Sequence, residues 1–201
     1  MRRGRGRQEI HALDYSKMEY RARPNYLPVE CAALGFLIES PMHGYELRTR
    51  IRSELGSLWR VATSRLYDVL HRMADGGWIE PTVETQDGRP SRTVYCVTPS
   101  GERVFWDWVE SPVRLRNVRV EFLAKVYFLR RLAPERLPFL FSAQRSALMR
   151  RLDRISRRPA TASADRSFED LVDSYRRGLL DHAIGWLDAY GGAKDGWKEE
   201  E

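Results

Sequence analysis

Residues 61–98 change periodicity midway, and that change limits the fold more than any other feature of the chain. The first half places Leu66, Leu70 and Met73 at the i, i+4, i+7 spacing of one helix face. Thr63 and Ser64 stand ahead of that face as candidate N-caps, and Gly76 and Gly77 close it as a C-cap would. The second half is extended: Trp78 and Ile79 open one strand, and Thr93 to Val97 form another. Between them lies Gln86-Asp87-Gly88-Arg89-Pro90, and Asp-Gly between two β-prone runs marks a hairpin. A short helix followed by a hairpin with arginines at its tip is the reading half of a winged helix, which implies a duplex-DNA partner.

Composition narrows the alternatives. With 34 Lys+Arg against 28 Asp+Glu the chain carries +6, a basic balance that suits a polyanion without requiring one. Almost all of that charge is arginine, since the only lysines are Lys17, Lys125, Lys194 and Lys198. Arginine favours bidentate phosphate and guanine contacts. Cys31 and Cys96 have neither zinc-ligand nor disulfide-framework spacing, which predicts a reduced, cytoplasmic setting. No stretch is apolar and long enough to span a membrane, and the start Met1-Arg2-Arg3 is not followed by the apolar core of a signal peptide. His43, His71 and His182 have no ligand-like spacing, and no nucleophile elbow or phosphate-cradling glycine loop is present. Neither an enzyme nor a cofactor nor a metal is expected.

Taken in order, residues 1–26 lack apolar periodicity and read as a disordered basic arm. Pro28 opens a first helix through Val29, Ala32, Ala33, Phe36 and Leu37, and residues 40–44 break it. A second helix from Tyr45 to about Leu55 puts Leu47, Ile51 and Leu55 on one face and Arg48, Arg50 and Arg52 on others. His43, before Gly-Tyr, is expected to be a turn residue bonded to backbone. Thr98 or Ser100 caps a helix containing Val104, Phe105, Trp106, Trp108 and Val109, and Ser111-Pro112 ends it. The rest is helical: one segment beyond Asn117, a second from Pro134, and a third from Phe168 to Tyr190, the last two separated by the linker 159–164. The expected architecture is mainly α with a small β-hairpin wing. A winged helix-turn-helix domain spans 27–111, a helical dimerisation domain 112–192, and a frayed tail 193–201.

Several segments together resemble the PadR family of bacterial transcriptional regulators. They are A-L-G-F-L-I-E-S-P-M-H-G-Y-E-L (33–47), L-Y-x-x-L-x-R-M (66–73), the W-I-E strand opening, R-x-V-Y-x-V-T-P-S-G (92–101) and R-V-E-F-L-A-K-V-Y-F (119–128). Arg65 departs from the family's usual small hydroxyl residue before Leu-Tyr, and acidic Asp68 follows Tyr67. The resemblance implies a homodimeric DNA-binding regulator, usually a repressor. The other reading is a winged-helix module whose wing and helix bind protein, since fold does not fix function.

The expected DNA-reading set is Thr63, Ser64, Arg65, Tyr67, His71 and Arg72 on the helix, Arg89, Ser91 and Arg92 on the wing, and Tyr45 beside them. The resemblance also allows a planar aromatic effector, with Phe105, Trp106 and Trp108 as its candidate contacts. Residues 106 and 108 cannot share one helix face, so one is expected in the core and the other elsewhere. The expected dimer contacts are Phe122, Val126, Phe168, Val172, Tyr175, Leu179 and Trp186.

Overall fold

A computed structural model of the chain describes residues 28–58, 62–86, 89–157 and 168–191. The expectations for residues 1–26, the linker 159–164 and the tail 193–201 lie outside the described residues, as do Asp87 and Gly88 at the hairpin tip. The elements are α1 (Pro28–Glu39), β1 (Met42–His43), α2 (Gly44–Glu54), α3 (Thr63–Asp75), β2 (Ile79–Gln86), β3 (Arg89–Val97) and α4 (Pro99–Val109). After a 3₁₀ turn (Leu115–Asn117) and a π-helical turn (Val118–Phe122) come α5 (Leu123–Leu132), a second 3₁₀ turn (Pro134–Arg136), α6 (Leu137–Ser156) and α7 (Phe168–Gly191).

Helix α1 is the hub. Cys31, Ala32, Ala33, Leu34, Phe36 and Leu37 are all buried, so α1 shows its neighbours an apolar surface on every side. Helices α2, α3, α4 and α5 pack around it. Gly35 lets two of them come close: a Cβ there would lie 2.5 Å from the Phe128 ring of α5 and 2.8 Å from Phe105 of α4. The Phe128 ring meets Phe36 at 5.1 Å and Phe105 at 5.6 Å, both edge-on, the arrangement that aromatic quadrupoles favour. The apolar core therefore runs through position 111 without a gap, and α5 packs on the same hub as the winged helix.

The sheet is antiparallel, in the order β1-β3-β2. Its first strand was not anticipated. The residues read as a simple helix breaker supply Met42 and His43, which pair with Tyr95 and Val94. A two-residue strand has no periodicity of its own; it exists because the Met42 side chain is buried in the core. His43 Nδ1 lies 3.3 Å from the Thr93 carbonyl, so the expected backbone bond is present, but the residue stands in β1 and not in a turn. The hairpin is longer than the sequence reading, with Ile79 opposite Val97 at its base and Gln86 opposite Arg89 near its tip. Among the β2 residues whose burial is described, only Ile79 is buried and residues 80–84 are exposed, so the wing stands out from the body. Pro81 is tolerated because β2 is an edge strand.

Two caps fix the entry to and exit from the hairpin. Gly77 has φ +67, the left-handed conformation that closes α3 at its C-terminus. Thr98, one of the two caps expected for α4, accepts from the Gly101 N–H at 3.1 Å and donates to the Gly77 carbonyl at 2.7 Å. The cap expected for α3 is corrected. Ala62 holds the N-cap position with no side-chain bond, and Thr63 and Ser64 are already inside the helix.

Beyond α4, the Gln144 amide of α6 clamps the connecting segment at both ends. Its Oε1 accepts from the Val113 N–H at 2.6 Å, and its Nε2 donates to the Val113 carbonyl at 3.0 Å. Helices α6 and α7 run antiparallel, with Arg145 paired to Asp188 at 2.5 Å and Gly191 beside Phe141.

A second staple joins α5 to the first body. Arg50 of α2 donates to Glu39 (2.6 Å) and Glu54 (2.7 Å) while its guanidinium lies 4.6 Å from the Phe36 ring centre. From α5, Arg131 bonds Glu39 at 2.6 Å, and the Tyr127 hydroxyl donates to Glu54. Burial alone would raise the Glu54 carboxyl, but the hydrogen bonds from Arg50 and Tyr127 outweigh it and hold that carboxyl below its usual range. A depressed carboxylate contributes stability that is present above its unfolded pKa, about 4.3. That contribution is lost as pH falls through the folded pKa. Glu54→Gln is therefore expected to lower the melting temperature at neutral pH and to narrow its gap to the wild type as the pH drops below about 4. Melting curves across that window check it.

Candidate nucleic-acid interface

Helix α3 buries Leu66, Val69, Leu70 and Met73, and turns Arg65, Tyr67, Asp68, His71 and Arg72 outward. At 100° per residue, Asp68, His71 and Asp75 point most directly away from the core. Arg65 and Arg72, seven residues apart, share the flank towards α1, and Tyr67 lies on the opposite flank, towards α2. There a Cβ on Gly44 would approach the Tyr67 ring to 3.0 Å, so the missing side chain lets the start of α2 close onto α3. Tyr45, the next residue, is 67% exposed, with the Arg48 guanidinium 5.2 Å from its ring centre. Thr63 and Ser64 form the first turn of α3; their side chains lie outside the described residues.

On the wing, Ser91 and Arg92 are exposed, and Arg92 stands opposite Glu84 across the hairpin. The Arg89 backbone closes the ladder, and its side chain lies outside the described residues. The structure thus gathers Tyr45, Arg65, Tyr67, His71, Arg72, Ser91 and Arg92 on the exposed sides of α2, α3 and β3. Their chemistry suits a phosphate backbone and base edges, since arginine, serine and tyrosine can all donate to phosphate oxygen. The arginines are not equivalent. Arg72 already donates to Glu30 of α1 at 2.9 Å, and Arg50 is held in the Glu39–Glu54 staple.

Two of the three aromatic residues considered for a planar ligand are corrected. Phe105 and Trp108 are buried, packed against Phe128 at 5.6 and 6.4 Å, and the Trp108 indole N–H donates to Glu121 at 3.1 Å. Their faces are taken up by the protomer's own core. Trp106 is the residue that looks elsewhere: it is half-buried, with the Arg136 guanidinium 4.7 Å from its ring centre and Glu110 bonded to that arginine.

The expected subunit contacts also divide. Phe122 and Val126 are corrected: both are buried within the protomer, Phe122 against Phe141 (5.3 Å) and Trp186 (6.2 Å). Apolar spacing marks a face that is covered and does not say by which chain. Trp186 is half-buried on the same cluster and Val172 is half-buried on α7. Phe168 (78% exposed), Tyr175 (68%) and Leu179 (41%) stay open, joined by Leu171 (65%). Leu171 was missed, although its i, i+4 step to Tyr175 would have found it. Glu30 was missed as well, because an acidic residue inside an apolar helix gives no hint of its partner 42 residues away.

Three helices, a three-stranded sheet with a protruding hairpin and an appended helical pair define a winged helix-turn-helix protein with a helical extension. Residues 33–107 match the model of the transcriptional regulator PadR-like family. Over that segment the chain is similar to the PadR-like family. Among curated relatives, it is 30% identical over 115 residues to the negative transcriptional regulator PadR of Bacillus subtilis, covering 56% of this chain and 63% of that protein. It is 32% identical over 82 residues to the probable transcriptional regulator Rv1176c of Mycobacterium tuberculosis, covering 41% and 43%. The chain thus spans less than two thirds of either relative. Among solved structures, Bacillus subtilis PadR in complex with operator DNA is 24% identical, with a TM-score of 0.43, covering 84% of this chain and 98% of that one. Among the described residues, no helix is long and apolar enough to cross a membrane, and no group of three His, Cys, Asp or Glu side chains is placed to hold a metal ion.

Proposed function

We propose that the protein is a sequence-specific duplex-DNA-binding transcriptional regulator of the PadR type, working as a homodimer and, by family habit, as a repressor. The observation that carries this reading is the coincidence of the family segment 33–107 with an outward-facing α3 and a projecting, arginine-bearing hairpin. In this reading α3 enters the major groove, and Arg89 and Arg92 touch the flanking backbone or minor groove. Thr63, Ser64, Arg65, Tyr67, His71, Arg72, Ser91 and Tyr45 supply the remaining contacts. The DNA-binding part is the segment 27–111, and the helices of 112–192 hold two copies together. Any planar aromatic effector would meet Trp106, the one candidate indole that is not core.

Salt tests the wing. Each phosphate-contacting arginine releases counterions, so binding to a duplex from the chain's own upstream region should weaken steeply as salt rises. Arg89→Ala with Arg92→Ala is expected to lower affinity and reduce the log–log salt slope by about 2, one for each contact. The folded state should be unchanged, because Arg92 is exposed. Binding isotherms over a salt series check this, and an unchanged slope in the double variant removes the wing from the interface. A wild type that binds a partner protein through α3 but no duplex would favour the interaction-module reading.

A further inference from the structure

Glu30 lies in the first turn of α1, outside the helix and wing that face outward, yet it holds one of their arginines. Its Oε1 accepts from Arg72 Nη2 at 2.9 Å, while its Oε2 is buried with no hydrogen-bond partner among the described residues. The Glu30 side chain is 10% exposed and that of Arg72 53%. A carboxylate buried with one oxygen unsatisfied is costly, and a simple staple between two helices would not need it. The asymmetry in exposure indicates what the pair does. Among the described residues Arg72 is gripped at one nitrogen of its fork while its side chain stays 53% exposed, on the flank of α3 that it shares with Arg65.

We infer that Glu30 is a positioning residue for DNA binding: it fixes the Arg72 guanidinium so that its free edge meets a phosphate beside the groove read by α3. This rests on the DNA-binding reading above. The physical reason is entropic. An unrestrained arginine must give up its rotamers when it docks, whereas one already held in the free protein has given them up on folding. A planar fork suits this arrangement, since one edge can bond a carboxylate while the other bonds a phosphate oxygen. Glu30 also sets a sign that can be tested. As a nearby negative charge it would repel DNA, and as a brace it favours binding, so the inference requires that removing its charge weakens binding.

The test uses the full chain and a fluorescently labelled random-sequence duplex, because a phosphate contact does not depend on base sequence. Anisotropy titrations over a salt series compare wild type, Glu30→Gln, Arg72→Ala, Arg72→Lys and the double variant Glu30→Gln/Arg72→Ala. Glu30→Gln is expected to weaken binding about five-fold, the size of re-immobilising one rotamer-rich side chain, and to leave the salt slope unchanged. Arg72→Ala should weaken binding further and lower the slope by about 1. Arg72→Lys should keep the slope but lose affinity as Glu30→Gln does, and it does so at an exposed site where folding is not at stake. In the Arg72→Ala background, Glu30→Gln should have no further effect on binding, which separates positioning from a general loss of stability. Tighter binding by Glu30→Gln, or an Arg72→Ala variant that binds as the wild type does, overturns the inference while leaving the proposed function standing. A wild type with no salt-dependent duplex binding overturns both.

Discussion

Aspartates at Tyr175 and Leu179 are expected to split the protein into monomers and to weaken its hold on operator duplex by on the order of 10²-fold, the loss when two linked binding events become one. Helix α7 carries two apolar faces. Leu180, Ile184 and Leu187 are buried on one of them, where α7 lies along α6. The other holds Phe168, Leu171, Tyr175 and Leu179, all exposed. A single aromatic at a surface is unremarkable, but four large apolar side chains over three turns of one helix form the kind of patch that a partner covers. The proposed two-fold dimer covers it with a second copy and presents two α3 helices to two half-sites. Tyr175 and Leu179 are chosen because both point away from the protomer's core, so the charges should leave α7 folded on α6. Sedimentation and the circular dichroism melt separate the outcomes. A stable dimer in the double variant places the interface elsewhere, and a collapsed melt means that this face supports the fold of the protomer itself.

How much of this was legible in the sequence depends on the range over which each feature is determined. Leu66, Leu70 and Met73 declared their face because a helix repeats its pattern within a few residues. The caps at Gly77 and Thr98 were readable for the same reason, since Gly77 closes its own helix and Thr98 accepts from Gly101 three residues on, although its bond to the Gly77 carbonyl was not. β1 was not readable, because Met42 and His43 become a strand only by meeting Tyr95 and Val94 more than fifty residues on. The capping assignment failed because Thr63 and Ser64 fit an N-cap by residue type, while the N-cap position falls one residue earlier, at Ala62. At the candidate interface, the exposure of Arg65, Tyr67 and His71 followed from the helical period. The different states of Arg50 and Arg72 did not, since each depends on a carboxylate of α1, Glu39 for Arg50 (with Glu54 of its own helix) and Glu30 for Arg72. Phe122 and Val126 show the same limit: their spacing announced burial, and the three-dimensional packing places it within the same chain, Phe122 against Phe141 and Trp186.

The largest expected effect on stability belongs to Lys125, which sequence reasoning passed over as one letter of the segment 119–128. It is 0% exposed. Its ammonium donates to the Ser111 carbonyl at 2.8 Å and to Ser111 Oγ at 3.2 Å, forms an ion pair with Glu121 at 3.2 Å, and lies 5.1 Å from the Trp108 ring centre. Glu121 in turn accepts from the Trp108 indole and from Asn117 Nδ2 at 2.8 Å. The cluster therefore ties the end of α4 to the π-helical turn and α5 at the point where the winged helix passes into the helical extension. Lys125→Ala would remove the ammonium paired with Glu121, strip the Ser111 carbonyl of its donor and leave a cavity. Breaking a buried pair in this way costs about 3–5 kcal/mol. Lys125→Met fills the same volume and isolates the electrostatic part, so it should lose less than Lys125→Ala while still leaving Glu121 unpaired. Adding Glu121→Gln to Lys125→Met should recover part of that loss, because the stranded charge is then gone and the amide can still accept from Trp108. Urea denaturation of the four proteins measures each step. A Lys125→Met variant as stable as the wild type would mean that the ammonium contributes nothing net, and that α4 and α5 are joined by the Phe105–Phe128 packing alone.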